Sequence, residues 1–392
     1  MKVCMIAYSD FDTDARIKNY VNLLNNKGLL VDLIMLSAKR DGVNENEFIN
    51  YNNNRLFRIY NKYIGDSLIL YIMSYMVFFL KAFMKTTKLY FKEEYKVIHV
   101  HNMPNFIVFA GLIPKLLGSK IILDIHDLMI PLYVTKFAGK LKKHIFYNLL
   151  YFEQKLSSLF VDHIICADHI QKDSLINDYK INPEIISVFM NLPSEDIFKI
   201  VKVKRASDNF NLIYHGTISK RLGIDLLLYS IKNVINEIKV KLFIYGSGEY
   251  LEDIIKIRHE LGMEEDVFIN EKFVPAEELS PIICSMDAGI IGNRYSLATN
   301  KYMMPVKLIE YVYHHIPVIA PRLDIIMHYF DEEMIKYYDP ENIEQMCNCI
   351  KDLYYNIEER KSKIKNASMF FKKYNNDILG GEYLNLIGNL CA

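Results

Sequence analysis

The sequence predicts an α/β protein of two domains, each built on a parallel sheet. Three observations carry this. The chain has 392 residues, too many for one compact core and a natural length for two domains of about 150–200 residues each. Short apolar runs recur along both halves, each leading into a polar loop and then a helical stretch, the alternation that parallel crossover units produce. Between the halves, Ser194–Asn209 is charged and weakly patterned and reads as a linker.

Composition supports two cores and removes some functions. Hydrophobic residues make up 51% of the chain, and Lys+Arg equals Asp+Glu at 47 each. A balanced chain has no global field for nucleic acid, so any membrane attraction must come from a local patch. The six cysteines form no C-x-x-C pair and no zinc spacing, and are expected to be reduced and buried in a cytoplasmic protein. The start KVCMIAY, followed at once by Asp10, Asp12 and Asp14, lacks the signal-peptide pattern.

In the first half, Lys2–Tyr8 and Leu30–Leu36 read as strands around an amphipathic helix, roughly Asp14–Asn26, closed by Gly28. A right-handed crossover puts Ser9–Thr13 at the carboxyl end of the first strand, where open α/β sheets bind ligands. No G-x-G-x-x-G occurs there, which argues against a dinucleotide. Arg16 is a candidate for an anion, against an ordinary surface arginine. Ser67–Leu80 is the most apolar run; fourteen residues fall short of the ~20 of a membrane span, so a helix buried in the first domain is the favoured reading. Lys81, Lys85, Lys88 and Lys92 follow it, and Lys136–Lys155 is a second basic and apolar stretch, so peripheral membrane contact is the competing one.

Val97–Val100 and Lys120–Ile125 read as buried strands leading into HNMPNF at His101–Phe106 and DIHDL at Asp124–Leu128. Both polar clusters fall on the ligand side of the sheet. His101, Asn102, His126 and Asp127 join Asp14 and Arg16 as candidate site residues. His99 alternates with His101, so one of the two is expected to point inward. His101, Asp124, His126 and Asp127 include metal-ligating types. Asp162–Cys166 and Ile185–Met190 complete the strands of this half.

In the second half, Asn211–Tyr214 leads into HGTISKRLGIDLLLYSI, helical from about Ile224. Lys220 and Arg221 form an adjacent basic pair in that loop, a candidate site for an anion, with a solvated loop pair as the plainer alternative. Lys241–Tyr245 is followed by GSGEY, where Gly246 and Gly248 let the backbone approach a ligand closely. Val267–Ile269 and Ala288–Ile291 are further strands, with Phe273 after the former. Asn300–Pro321 reads as loop, helix and buried strand, with Pro305 as first helical residue. The first-turn N–H groups can hold a phosphate, and Glu310 can accept from a vicinal diol such as a ribose. Lys307 lies three residues before Glu310, as a plain surface pair also would. A helix near Asn342–Tyr355 and a terminal one over Leu379–Leu390 close the pattern.

The Asn300–Pro321 stretch resembles the C-terminal signature of glycosyltransferase family 4, in a branch with P-x-K-L-x-E-Y, through Pro305, Lys307, Leu308, Glu310 and Tyr311. The branch's D-x-R, H-N-M-P and D-x-H-D segments are similar to Asp14/Arg16, His101–Pro104 and Asp124–Asp127. Tyr302 stands where a second glutamate is usual, Thr217 and Leu222 where an arginine and a lysine are, and His315-Ile316 where a glycine is. The resemblance implies the GT-B fold, two Rossmann-like domains facing across a cleft: residues 1–200 for the acceptor, 201–375 for the nucleotide sugar, and 376–392 a helix crossing back. It implies retaining, metal-independent transfer of a sugar from a nucleoside-diphosphate sugar to a glycan or lipid-linked acceptor in surface polysaccharide synthesis, with no cofactor. Glu310 would bind the ribose, Lys220 and Arg221 the diphosphate, and Gly216, Gly246, Gly248, Phe273 and Lys307 the rest of the donor; His126, the leading catalytic candidate, would lie beside the sugar, with Asp14, Arg16, His101, Asn102 and Asp127 on the acceptor side. A UDP-sugar 2-epimerase and a non-catalytic partner of another transferase are the alternatives.

Overall fold

The computed structural model describes residues 2–37, 48–61, 63, 65, 67–131, 133, 143–193, 195, 198–201, 203, 208–272 and 274–391. Phe273, and Lys136, Lys140 and Lys142 of the second basic stretch, lie outside them. The chain divides into two compact units, Met1–Asn191 with Asp377–Ala392, and Leu192–Asn376. The first change of unit falls just ahead of the stretch read as a linker.

The first unit holds an eight-stranded sheet of order β3-β4-β2-β1-β5-β6-β7-β8. Its strands are β1 (Lys2–Asp10), β2 (Leu30–Ser37), β3 (Ile49–Tyr51), β4 (Asn54–Asn61), β5 (Val97–His101), β6 (Lys120–Ile125), β7 (His163–Cys166) and β8 (Ile186–Val188). All pairings are parallel except the β3–β4 hairpin. That hairpin, absent from the sequence reading, turns on Asn52 and Asn53 at φ 48° and 67°, a conformation asparagine tolerates better than most residues. Helix α1 (Ala15–Asn25) starts where Asp14 accepts from the Ile17 N–H at 3.1 Å and ends before Gly28, whose φ is 72°.

Helix α2 (Leu68–Glu93) runs 26 residues, well past the apolar run that suggested it. The expectation of a buried core helix fails: only 22% of its most apolar window is buried, although by length and composition the helix could cross a membrane. Beyond it lie the 3₁₀ segment Asn105–Gly111, α3 (Leu112–Leu116), α4 (Lys143–Phe160) and α5 (His169–Asn177). The terminal helix α6 (Asn376–Cys391) meets the first unit through Gly380, where a Cβ would lie 2.7 Å from Leu23 Cδ2, and through Tyr383, whose hydroxyl is 3.1 Å from His99 Nδ1.

The second unit holds a six-stranded parallel sheet of order β11-β10-β9-β12-β13-β14. Its strands are β9 (Phe210–His215), β10 (Val240–Tyr245), β11 (Val267–Asn270), β12 (Ala288–Ile290), β13 (Val318–Pro321) and β14 (Lys336–Tyr338). One core of buried aliphatics, centred on Leu212, Leu227, Leu242 and Ile350, fixes the register of the flanking helices. In each sheet the order reverses beside its first strand, at β1/β5 and at β9/β12. Ligand sites of open α/β sheets form at such points, outside the carboxyl ends of the strands.

Candidate functional site

Each unit gathers its polar candidates at its own switch point. In the first unit the centre is Asp124, at 0% exposure. Arg16 Nη2 donates to its Oδ1 at 2.5 Å, while His101 Nδ1 and His126 Nε2 lie 3.0 and 3.4 Å from its Oδ2. Arg16 is thus not a surface residue: it is buried and paired with Asp124. Burial alone would raise the Asp124 carboxyl; Arg16, with His126 and His101, more than offsets this and holds it well below the usual carboxylate range. Burial also pushes His99 down to about 4, helped by His101, and lowers His101 itself.

The expectation for His99 and His101 is corrected. Residues two apart on a strand share a face; both rings are buried and stack at 4.3 Å. Tyr20 and Tyr383 close over His99. His126, with 26% of its side chain exposed, is the imidazole of this trio that reaches the surface. Its backbone N–H donates to Asn102 Oδ1 at 2.8 Å, and Asn102 Nδ2 donates to the Asp127 carbonyl at 2.7 Å. Asn102 therefore fixes the loop rather than reaching outward, and Asp14 caps α1 while accepting from Ser9 Oγ. His99, His101 and Asp124 bring donor atoms within 4.8 Å of one another, a cluster that can hold a metal by residue type. Arg16 competes for its one carboxylate, which makes the donor set a poor fit for a cation.

In the second unit the centre is Glu310, on α7 (Val306–Tyr313), whose N-cap is Pro305 rather than its first helical residue. His215, the last residue of β9, puts Nε2 2.5 Å from Glu310 Oε2. The other carboxylate oxygen, Oε1, has no partner among the described residues. Lys307 does not pair with Glu310 on the surface; its Nζ sits 3.8 Å from the centroid of the Tyr214 ring, and Gly216 (φ 104°) lies alongside. Burial pushes the Lys307 ammonium down to about 7 against the pull of Glu310, and Arg221 adds to the lowering.

Lys220 and Arg221 stand on a 3₁₀ turn, both exposed. Arg294 braces that turn: it donates to the Lys220 carbonyl at 3.2 Å and pairs with Asp225 and Glu341 at 2.5 and 2.8 Å. His215 went unassigned in the sequence; its place before Gly216 at a strand end was the available signal. His315, standing where the resemblance expects glycine, has φ 56°, the left-handed conformation a glycine would take freely.

Gly246 and Gly248 also pack one loop against another. A Cβ at Gly246 would sit 1.9 Å from the Gly216 carbonyl oxygen, and one at Gly248 2.1 Å from that of Ile218. These glycines let the loop after β10 lock against the loop after β9. Gly246→Ala is accordingly expected to destabilise the second unit by about 1–3 kcal/mol, the usual cost of overpacking. Denaturant unfolding checks this; an unchanged midpoint would show that the loops yield freely.

Residues 209–356 match the family model described as "Glycosyl transferases group 1", so this part of the second unit is similar to domains of that type. No curated protein sequence matches the chain. Among solved structures, sucrose-phosphate synthase from Thermosynechococcus elongatus is similar over 100% of this chain and 99% of its own, with TM-score 0.78 at 13% identity. HepE from Anabaena, solved in complex with UDP, is similar over 99% of this chain and 100% of its own, with TM-score 0.70 at 12% identity. The lipopolysaccharide outer core galactosyltransferase WaaB is similar over 99% of each chain, with TM-score 0.68 at 13% identity. These likenesses establish the fold as GT-B, with two Rossmann-like domains.

Proposed function

We propose that the protein is a retaining glycosyltransferase of family 4 that moves a hexosyl group from a nucleoside-diphosphate sugar to a glycan or lipid-linked acceptor, in the synthesis of a surface polysaccharide. The observation that carries this is the arrangement at the β9/β12 switch point: an open carboxylate oxygen on Glu310, with Lys307, Arg221 and the first turn of α7 around Gly216. A ribose diol suits the carboxylate, and a diphosphate suits the cations and helix N–H groups. The group 1 family model and the UDP complex of HepE support a nucleotide donor; WaaB, a lipopolysaccharide galactosyltransferase, supports a surface-glycan setting. Retention rests on the family resemblance.

In this reading the bond from the anomeric carbon to the diphosphate breaks as a bond to the acceptor oxygen forms on the same face. The acceptor proton passes to the leaving diphosphate, whose charge Lys220, Arg221 and Lys307 stabilise. In the first unit, Asp124 and Asn102 hold His126, which is assigned to the transferred sugar. The Arg16–Asp124 pair supports chemistry without a metal, since the carboxylate is already neutralised.

The test is thermal stabilisation of the full chain by UDP, GDP, ADP and their sugar conjugates. Binding at a hundredfold excess over the dissociation constant adds ~2.7 kcal/mol to apparent stability. A shift with one nucleotide supports the reading and identifies the donor; no shift with any moves the assignment to a non-catalytic partner. Lys307 adds a pH signature. Its proton leaves as pH rises through about 7, so donor affinity should fall across that range, while Lys307→Met should bind weakly with a flat profile. Wild-type affinity that is level through neutrality would remove Lys307 from the diphosphate.

A further inference from the structure

The apolar outer surface of the first unit is explained by nothing in the donor reading. Connections β4→β5, β5→β6 and β6→β7 all step the same way across the sheet, so right-handed crossovers put α2, the 3₁₀ segment with α3, and α4 on one face. They touch one another there: Phe79 meets Phe106 at 5.7 Å, the Tyr90 hydroxyl donates to the Leu117 carbonyl at 3.1 Å, and Phe109 meets Phe160 at 4.7 Å.

This layer is apolar on its outside as well. On α2, Ile69, Met73, Met76, Leu80, Met84 and Phe91 fall in one stripe at helical spacing, and all are exposed, Ile69 at 71% and Phe91 at 68%. On α4 a second exposed stripe runs through Leu149, Phe152, Leu156 and Leu159, and Leu116 of α3 stands at 74%. Monomeric soluble proteins rarely leave contiguous apolar surface of this extent uncovered.

Charge decides the occupant. Lys81, Lys85, Lys88 and Lys92 follow one flank of the α2 stripe. Lys81 and Lys85 turn towards the Ile59 carbonyl and the Phe57 ring, while Lys88 and Lys92 are exposed. The acids of these three helices, Glu93 and Glu153, both face away from the apolar surface. Glu93 pairs with Lys2 and Arg55 at 2.8 and 2.7 Å; Glu153 accepts from the Phe106 N–H and Asn105 Nδ2 at 2.7 and 2.8 Å. An apolar surface whose stripes carry no acid, flanked by Lys88 and Lys92 with the exposed Glu94 just past the end of α2, complements anionic lipid. A second copy would bring Lys88 and Lys92 against like charge, with the exposed Glu94 offsetting only part of it.

We propose that this face docks on an anionic bilayer, with α2 lying along the interface over ~39 Å rather than crossing it, because its inner flank packs on the rest of the unit. The inference goes beyond the transfer reaction and does not depend on it.

The test uses the full chain without nucleotide, sedimented with vesicles of phosphatidylcholine alone or mixed equally with phosphatidylglycerol. Binding to the mixed vesicles should be about 30-fold tighter, from two lysines near the surface. K88E/K92E should abolish that preference. M73E/M84E, and independently I69Q/L80Q, should lose binding to both vesicles at least tenfold with melting temperature unchanged, since all four side chains are exposed. Equal, weak retention on both vesicles overturns the proposal. So does binding that survives both apolar pairs of substitutions, or a wild-type dimer that M73E/M84E dissolves without any vesicle binding.

Discussion

Replacing Asp124 by asparagine is expected to lower the unfolding free energy of the first unit by about 3–5 kcal/mol, because it strands a buried charge. Asparagine fills the same space, so packing is not what is lost. What remains is the Arg16 guanidinium at 6% exposure with its counter-charge gone. Arg16→Leu combined with Asp124→Leu should recover most of the stability, since apolar pairs of similar volume replace buried ion pairs at little cost. It should not recover activity, because His126 then lacks the carboxylate 3.4 Å from its Nε2. Urea unfolding and initial rates on the same samples separate the two effects. A loss below about 1 kcal/mol in Asp124→Asn would mean that the pair behaves as a solvated one.

Acid should act on the same cluster in two stages. His99 stays neutral in the fold down to about 4, against its ordinary 6.5. The unfolded chain takes up that proton first, so stability declines as pH falls from 6.5 towards 4. Asp124 has the opposite charge type and a depressed folded value. Its contribution is complete above its ordinary 3.8 and is lost as pH falls through the folded value. Asp124→Asn should keep the first stage and lose the second.

The second large effect is expected at Glu310. Glu310→Ala should lower kcat/KM at least tenfold with the second unit still folded. Hydrogen bonds to a charged group contribute about 1.5–3 kcal/mol, or roughly ten- to 150-fold. His215 refines the test. If it acts by holding Oε2, then His215→Phe should cost less than Glu310→Ala, and the double variant should be no worse than Glu310→Ala alone. Near-normal kinetics in Glu310→Ala would refute the ribose assignment; additive losses would give His215 a role of its own.

Much of the scaffold was legible because parallel, doubly covered strands are written as continuous apolar runs, as at Val97–Val100 and Lys120–Ile125. β4 was not: Arg55 and Arg58 interrupt it, and the Asn52–Asn53 turn was its one local signal. The extent of α2 was hidden by lysines that sit on one flank rather than ending the helix. The polar candidates lay on the correct loops, but their pairings did not show. Arg16 meets Asp124 over 108 residues of sequence and His215 meets Glu310 over 95, and no local pattern encodes such contacts. Gly246 and Gly248 read as ligand-facing because the chain they pack against, Gly216–Ile218, lies on another loop.

The passage of α6 back to the first unit orders events during synthesis. When residue 191 is made, the sheet of the first unit is complete in sequence, but His99 and Tyr20 still lack Tyr383, their cover. About 185 residues of the second unit must be made in between, which takes roughly 10–40 s at the ~5–20 residues per second of translation. The second unit therefore has its whole sequence available first, and the first to begin is the last to close. Over that interval the nascent first unit is expected to expose an open aromatic pocket as well as its apolar outer face, the kind of surface that chaperones exist to shield.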